Sequence, residues 1–252
     1  MTSPAISDAV KRVFTDAFTA RDIAEPLASF DASTAAADVH EFLQTAGFDV
    51  AGIRRDGRIV GFVERGFPNG GACGQYQKEC EAAIVLDDTA SLLKVLITLD
   101  RSPFVFVTVL GNVGGIVTRD DLQKAPVRMW LFGLITLIEM RFSELIERNC
   151  PDHVWQGYLS ESRREKARAL LAERARLKQT LRLLDCLQLS DKGQIIARHE
   201  EIRKLTIFNS RRQVEDTVKK LEALRNNLAH AQDIMTSDWG TIVMLCEFIN
   251  RQ

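Results

Sequence analysis

The chain has 252 residues, 46% of them apolar and 27% charged, with a net charge of −1. That length holds one large domain or two of ordinary size, and the balance belongs to a packed globular protein rather than a disordered chain. Five cysteines without a CxxC pair argue against a disulfide framework or a zinc site and for a cytoplasmic protein. No charged-then-apolar leader opens the sequence, so secretion is not expected. The most apolar run, Met129 to Ile138, is too short for a bilayer core of about 30 Å and reads as a buried helix.

In the first half, a shift of 54 positions lays Ser33–Phe67 over Asp87–Asp121 without a gap. Val39, Phe42 and Leu43 then meet Leu93, Leu96 and Ile97, an i, i+3, i+4 stripe that makes one helix face. Gly57 meets Gly111 in a turn between two strand-like runs, and Gly61 meets Gly115 inside the second run. Each copy reads helix, strand, hairpin turn, strand and short helix, over about residues 20–70 and 80–125. One copy buries too little apolar surface to stand alone, so the two should pack together. The intervening segment PNGGACG (68–74) reads as a connection, because no Lys-Ser/Thr follows to make it a phosphate loop.

From Pro126 the alternation stops. Pro126 suits a helix start, and Trp130, Leu134, Leu137, Ile138, Leu145 and Ile146 give a broad apolar face that ends at Pro151. A second long helix is expected from Ser162 to Leu189, broken by SDKG (190–193), with further helices over 195–207, 210–232 and 238–250. The fold class is thus an α+β repeat over 1–125 followed by an all-α bundle over 126–252. Residues 163–182 hold eight Lys/Arg against two acids. Such a face either attracts RNA phosphates or is a solvated surface. Residues 1–125 carry 12 Lys/Arg against 17 Asp/Glu, and residues 126–252 carry 21 against 17. A polyanion would therefore meet the second half, although ordinary scatter gives asymmetries of this size.

The second copy ends in Gly115-Ile116-Val117-Thr118-Arg119-Asp120-Asp121. With the repeat, this pattern resembles the tandem cystathionine-β-synthase (CBS) module over roughly residues 18–125. The resemblance implies binding of an adenine nucleotide such as AMP or ATP. Asp121 would hold the ribose hydroxyls, Thr118 and Arg101 the phosphate, and Ser102 and the backbone of Ile116 would give lesser contacts. In the first copy Glu64 and Phe67 replace Thr118 and Asp121, so one working site per chain is expected. Thr118 with an acid three residues on is equally a capping box.

In the second half, Arg225 and His230 stand five apart in LEALRNNLAHAQD (221–233), with Asn226 after the arginine. This resembles the Arg-x4-His motif of the HEPN superfamily, whose helical bundles are often metal-independent endoribonucleases with a composite site across a homodimer axis. The resemblance implies catalytic roles for Arg225, Asn226 and His230, no metal, and an RNA cut by attack of its own 2′-hydroxyl. A second spacing match, Arg148 to His153, contains Pro151 and is discarded. Glu139 and Arg141 read either as supports for the motif or as a buried ion pair. Together the two resemblances imply a nucleotide-regulated endoribonuclease of the stress-response or phage-defence kind. The alternative is a non-catalytic nucleotide sensor whose bundle dimerises or docks a partner.

Overall fold

The computed structural model describes residues 16–230 and 232–250. The chain divides into two compact units, Met1–Arg128 and Met129–Gln252. The first is α+β and the second is helical.

The first unit contains two strand–helix–hairpin copies. In the first, β2 (Ser29–Asp31) leads through α1 (Ala36–Ala46) to β3 (Val50–Arg55) and β4 (Arg58–Glu64). In the second, β5 (Val85–Asp87) leads through α2 (Leu92–Leu99) to β6 (Phe104–Val109) and β7 (Asn112–Thr118). In both copies the leading strand runs parallel to the first hairpin strand, and the hairpin is antiparallel. The short β1 (Glu25–Pro26) precedes the first copy and pairs with β7 of the second, giving the sheet orders β1-β7-β6-β5 and β2-β3-β4.

The 54-residue offset holds in fine detail across the hairpins. Asp56 and Gly57 have φ of 50° and 75°, and Leu110 and Gly111 have 52° and 76°. Two successive positive φ values are what a primed two-residue hairpin turn requires. The strand register also shifts at matching places, between Ile53 and Arg54 and between Val107 and Thr108. Gly61 and Gly115 mark close approaches. A Cβ on Gly61 would lie 2.4 Å from the Lys78 carbonyl oxygen, and one on Gly115 would meet Val107, Ala24 and Glu25 at 3.3–3.4 Å. At both places the chain preceding the other copy runs alongside the strand.

The gapless alignment does not survive upstream of the hairpins. Phe30 pairs with Ile53 while Leu86 pairs with Val107, so the leading strands are 56 residues apart and the hairpins 54. The buried helix positions Ala36, Val39 and Leu43 accordingly match Leu92, Val95 and Leu99, whereas Leu93 and Ile97 are only half-buried. The two extra residues of the first copy come from its longer helix, 11 residues against 8. Gly47, in the left-handed region at φ 71°, closes α1. The copies share an aromatic core. The Phe62 ring lies 5.5 Å from Phe104 and 5.0 Å from Phe106, and Phe104 lies 5.2 Å from Phe106.

The helical part of the chain comprises α3 (Ala125–Asn149), α4 (Asp152–Trp155), α5 (Glu161–Arg176), α6 (Leu189–Arg198), α7 (Glu200–Lys204), α8 (Arg211–Ala229) and α9 (Met235–Asn250). Pro126 opens the first of these, and Pro151 lies just beyond its end. The long second helix is shorter than its pattern implied. It stops at Arg176, Lys178 turns the chain at φ 57°, and Leu177 and Leu181, inside the expected span, are 61% and 40% exposed. SDKG does not break a helix; it forms the first turn of α6. Asp191 accepts from the Gln188 amide at 3.1 Å, as an acid in a first turn should. Gly193 sits where a Cβ would come within 2.6 Å of Val218 Cγ2, so this glycine permits close packing of α6 on α8. The expected helix 195–207 is divided at His199, which is not helical and separates α6 from α7. Among the described residues, no helix is long and apolar enough to cross a membrane, and no cluster of three or more His, Cys, Asp or Glu is placed to hold a metal.

Candidate functional site

A cleft of about 1240 Å³ opens in the first unit between the two copies. It is formed by β1 and the residues after it, by the helix-to-strand connections of both copies, and by the ends of their hairpins. All five residues expected to bind a nucleotide lie on its wall: Arg101, Ser102, Ile116, Thr118 and Asp121. Arg101 and Ser102 come from the α2–β6 connection, Ile116 and Thr118 from β7, and Asp121 from the 3-10 turn Asp120–Gln123 that follows. The corresponding first-copy segments, Ala46–Val50 with Glu64 and Arg65, form the other side.

Asp121 is the best-buried carboxylate of this wall, at 8% exposure. Its Oδ2 accepts from the Thr118 amide at 2.7 Å and the Thr118 hydroxyl at 3.0 Å, the acid's half of the expected capping box; the turn's own N-cap, Arg119, makes no side-chain cap bond. Its Oδ1 meets Lys124 Nζ at 2.9 Å. The same ammonium donates to the Ile23 carbonyl at 2.6 Å and to the Glu25 carboxylate. Burial alone would lower the Lys124 pKa, but hydrogen bonds to Glu25 and Asp121 outweigh it and hold the pKa above the ordinary lysine value. Sequence reasoning missed both Lys124 and Glu25. Lys124 had a local signal, three residues after Asp121 and just before a helix. Glu25 had none, since it reaches the site only through the pairing of β1 with β7.

Three details modify the chemistry inferred from the sequence. The turn after Thr118 is a single short 3-10 turn, too brief to supply a helix dipole to a phosphate. The Thr118 hydroxyl already donates to Asp121, so it must change acceptor before it can donate to an anion. Ile116 pairs with both Glu25 and Phe106, so its peptide groups belong to the sheet and its side chain supplies any contact. Arg101 is exposed, and none of the described ion pairs or side-chain hydrogen bonds engages its guanidinium. Ser102 Oγ is turned to the Phe104 carbonyl at 2.7 Å.

On the first-copy side, Glu64 pairs with Lys78 at 2.7 Å, and the Phe67 ring packs 5.8 Å from Tyr76. Arg65 is tied to Asp49 at 3.2 Å and to the Phe48 carbonyl at 2.9 Å. The charged side chains on this side of the cleft are paired with one another.

The first half of the chain is similar to solved CBS-pair structures. The CBS-pair protein CBSX2 from Arabidopsis thaliana is 20% identical, over 44% of this chain and 96% of that one, with a TM-score of 0.38. CBSX2 in complex with AMP gives 20% identity over 44% and 98% with a TM-score of 0.39. The CBS domain of a bacterial CNNM/CorC family Mg2+ transporter in complex with ATP gives 12% over 48% and 94%, with a TM-score of 0.37. No family model and no curated protein matches the chain. Nothing in these similarities identifies the helical unit as HEPN.

The second candidate group lies on α8. Its buried stripe is Val214, Thr217, Val218, Leu221, Leu224 and Leu228. The helix ends at Ala229, three residues earlier than expected, and His230 is its non-helical C-cap. Asn226 and His230 are exposed, and the Asn226 carbonyl accepts from the His230 amide at 3.1 Å. Arg225 is half-buried and turned toward Glu139, 3.9 Å away. Glu139 also accepts from Lys192 at 2.9 Å, and the Lys192 side chain is only 6% exposed. Glu139 thus serves a partly buried ion group shared with Arg225. Arg141 points elsewhere, to Glu144 at 3.2 Å.

Proposed function

We propose that this protein is a sensor of an adenine nucleotide, AMP, ATP or a related molecule, bound on the second-copy side of the cleft. The helical unit is then a non-catalytic output that dimerises or docks a partner. The observation that carries this reading is the convergence of Arg101, Ser102, Ile116, Thr118 and Asp121 on one cleft from separate chain segments. A buried carboxylate suits a ribose diol, and an exposed guanidinium suits a phosphate. Calorimetric titration with AMP tests it. Wild-type protein should bind, and Asp121→Ala should lose at least about 2 kcal/mol of affinity. Equal affinity in the two proteins contradicts the placement.

A second reading, a metal-independent endoribonuclease, draws on one feature, the exposure of Asn226 and His230 at the end of α8. It requires two chains to bring these ends together around one phosphodiester and Arg225 to leave Glu139. Cleavage of mixed RNA that persists in EDTA and disappears in His230→Ala would favour it. An unchanged RNA pool with and without AMP removes it.

A further inference from the structure

The charges of the cleft say which adenine nucleotides it can accept, given that it binds one at all. Six carboxylates line it: Glu25, Asp49, Glu64, Asp100, Asp120 and Asp121. Three guanidiniums face them, those of Arg65, Arg101 and Arg119, which leaves an excess of three negative charges. Counting Lys78 and Lys124, which sit behind Glu64 and Asp121, raises the cations to five and still leaves the carboxylates ahead.

Most of those cations are already committed. Arg65 holds Asp49 at 3.2 Å, Lys78 holds Glu64 at 2.7 Å, and Lys124 holds Asp121 at 2.9 Å and Glu25. Arg119 donates to the Leu99 carbonyl at 3.1 Å. Among the described residues of the cleft, Arg101 is the cation whose guanidinium is exposed and unengaged. The turn after Thr118 has only four residues and brings no helix dipole of its own to the cleft. On the first-copy side, Glu64 stands where a second phosphate contact would need a donor.

We infer that the cleft selects a nucleoside carrying a single phosphate, with Arg101 as its phosphate-reading residue, and discriminates against a triphosphate. Each further phosphate adds negative charge to a cleft whose carboxylates already outnumber its cations, so the repulsion grows along the series. The base and ribose contacts are common to all members and cannot offset that difference. The inference rests on the nucleotide-sensing reading and deepens it.

Thermal-shift and calorimetric titrations of the full chain with adenosine, AMP, ADP and ATP, in EDTA at fixed ionic strength, test it. AMP should bind tightest, with ATP about tenfold or more weaker. Arg101→Ala should weaken AMP about tenfold and leave adenosine unchanged. ATP binding as tightly as AMP overturns the charge selection, as does an Arg101→Ala variant that weakens adenosine and AMP alike. A protein that binds none of the four fails at the earlier step, the nucleotide site itself.

Discussion

In the first copy, the hairpin ends in Glu64, held by Lys78, and the chain then reaches Phe67, packed on Tyr76. In the second, the same backbone positions hold Thr118 and Asp121, and the carboxylate faces the cleft with Lys124 beside it. The helix-to-strand connections differ as well. The first, residues 47–49, follows a helix closed by Gly47, whereas the second, residues 100–103, carries Arg101 and Ser102. Turn geometry, register shift and close-approach glycines are nevertheless shared. The two copies share the parts that shape the backbone and differ in loop chemistry, as the proposed one-sided site requires.

Replacing the shared core should have the largest effect. Phe106 is fully buried among Phe62 and Phe104, while the matching first-copy position is Gly52. Phe106→Ala should cost about 3–5 kcal/mol in urea unfolding. A cost below about 1 kcal/mol would show that the aromatic core is not what joins the copies. The two close-approach glycines sharpen the comparison at the next level. Gly61→Ala places a Cβ 2.4 Å from the Lys78 carbonyl oxygen, a backbone atom that cannot swing away, and should cost about 1–3 kcal/mol. Gly115→Ala meets its nearest neighbour at 3.3 Å and should cost about 1 kcal/mol or less. Equal costs would mean that the two crossings are alike after all.

The smallest expected effect concerns the Lys124 clamp. Its folded pKa lies above the ordinary 10.5, so its contribution to stability is full below that value and is lost as pH rises through the folded pKa. Wild-type protein should therefore lose stability more steeply than Lys124→Met above pH of about 10.5, and the two should run parallel below it. Parallel curves throughout would show that Lys124 does not stabilise the second-copy side.

The division into an α+β repeat and a helical second half was legible because periodicity and turn chemistry are local. Asp56-Gly57 and Leu110-Gly111 declare their hairpins to anyone comparing the two copies. Pro126 and Pro151 likewise bracket α3. Register within the helices was less legible, since Leu92, Leu93, Leu96 and Ile97 offer two apolar stripes and only packing chooses between them. The SDKG segment misled because Ser, Asp and Gly also serve a helix start, and only the proximity of Val218 explains Gly193. Within the cleft, the signature residues could be read from the chain, but Glu25 could not. It meets Lys124, 99 positions away in the chain, because β1 pairs with β7.

Amide hydrogen exchange measured with and without saturating AMP tests the difference between the copies most directly. Slowed exchange at residues 101–104 and 116–121, with residues 47–50 and 62–67 unchanged, is the result this account predicts. Equal protection of both sets, or of neither, would contradict it.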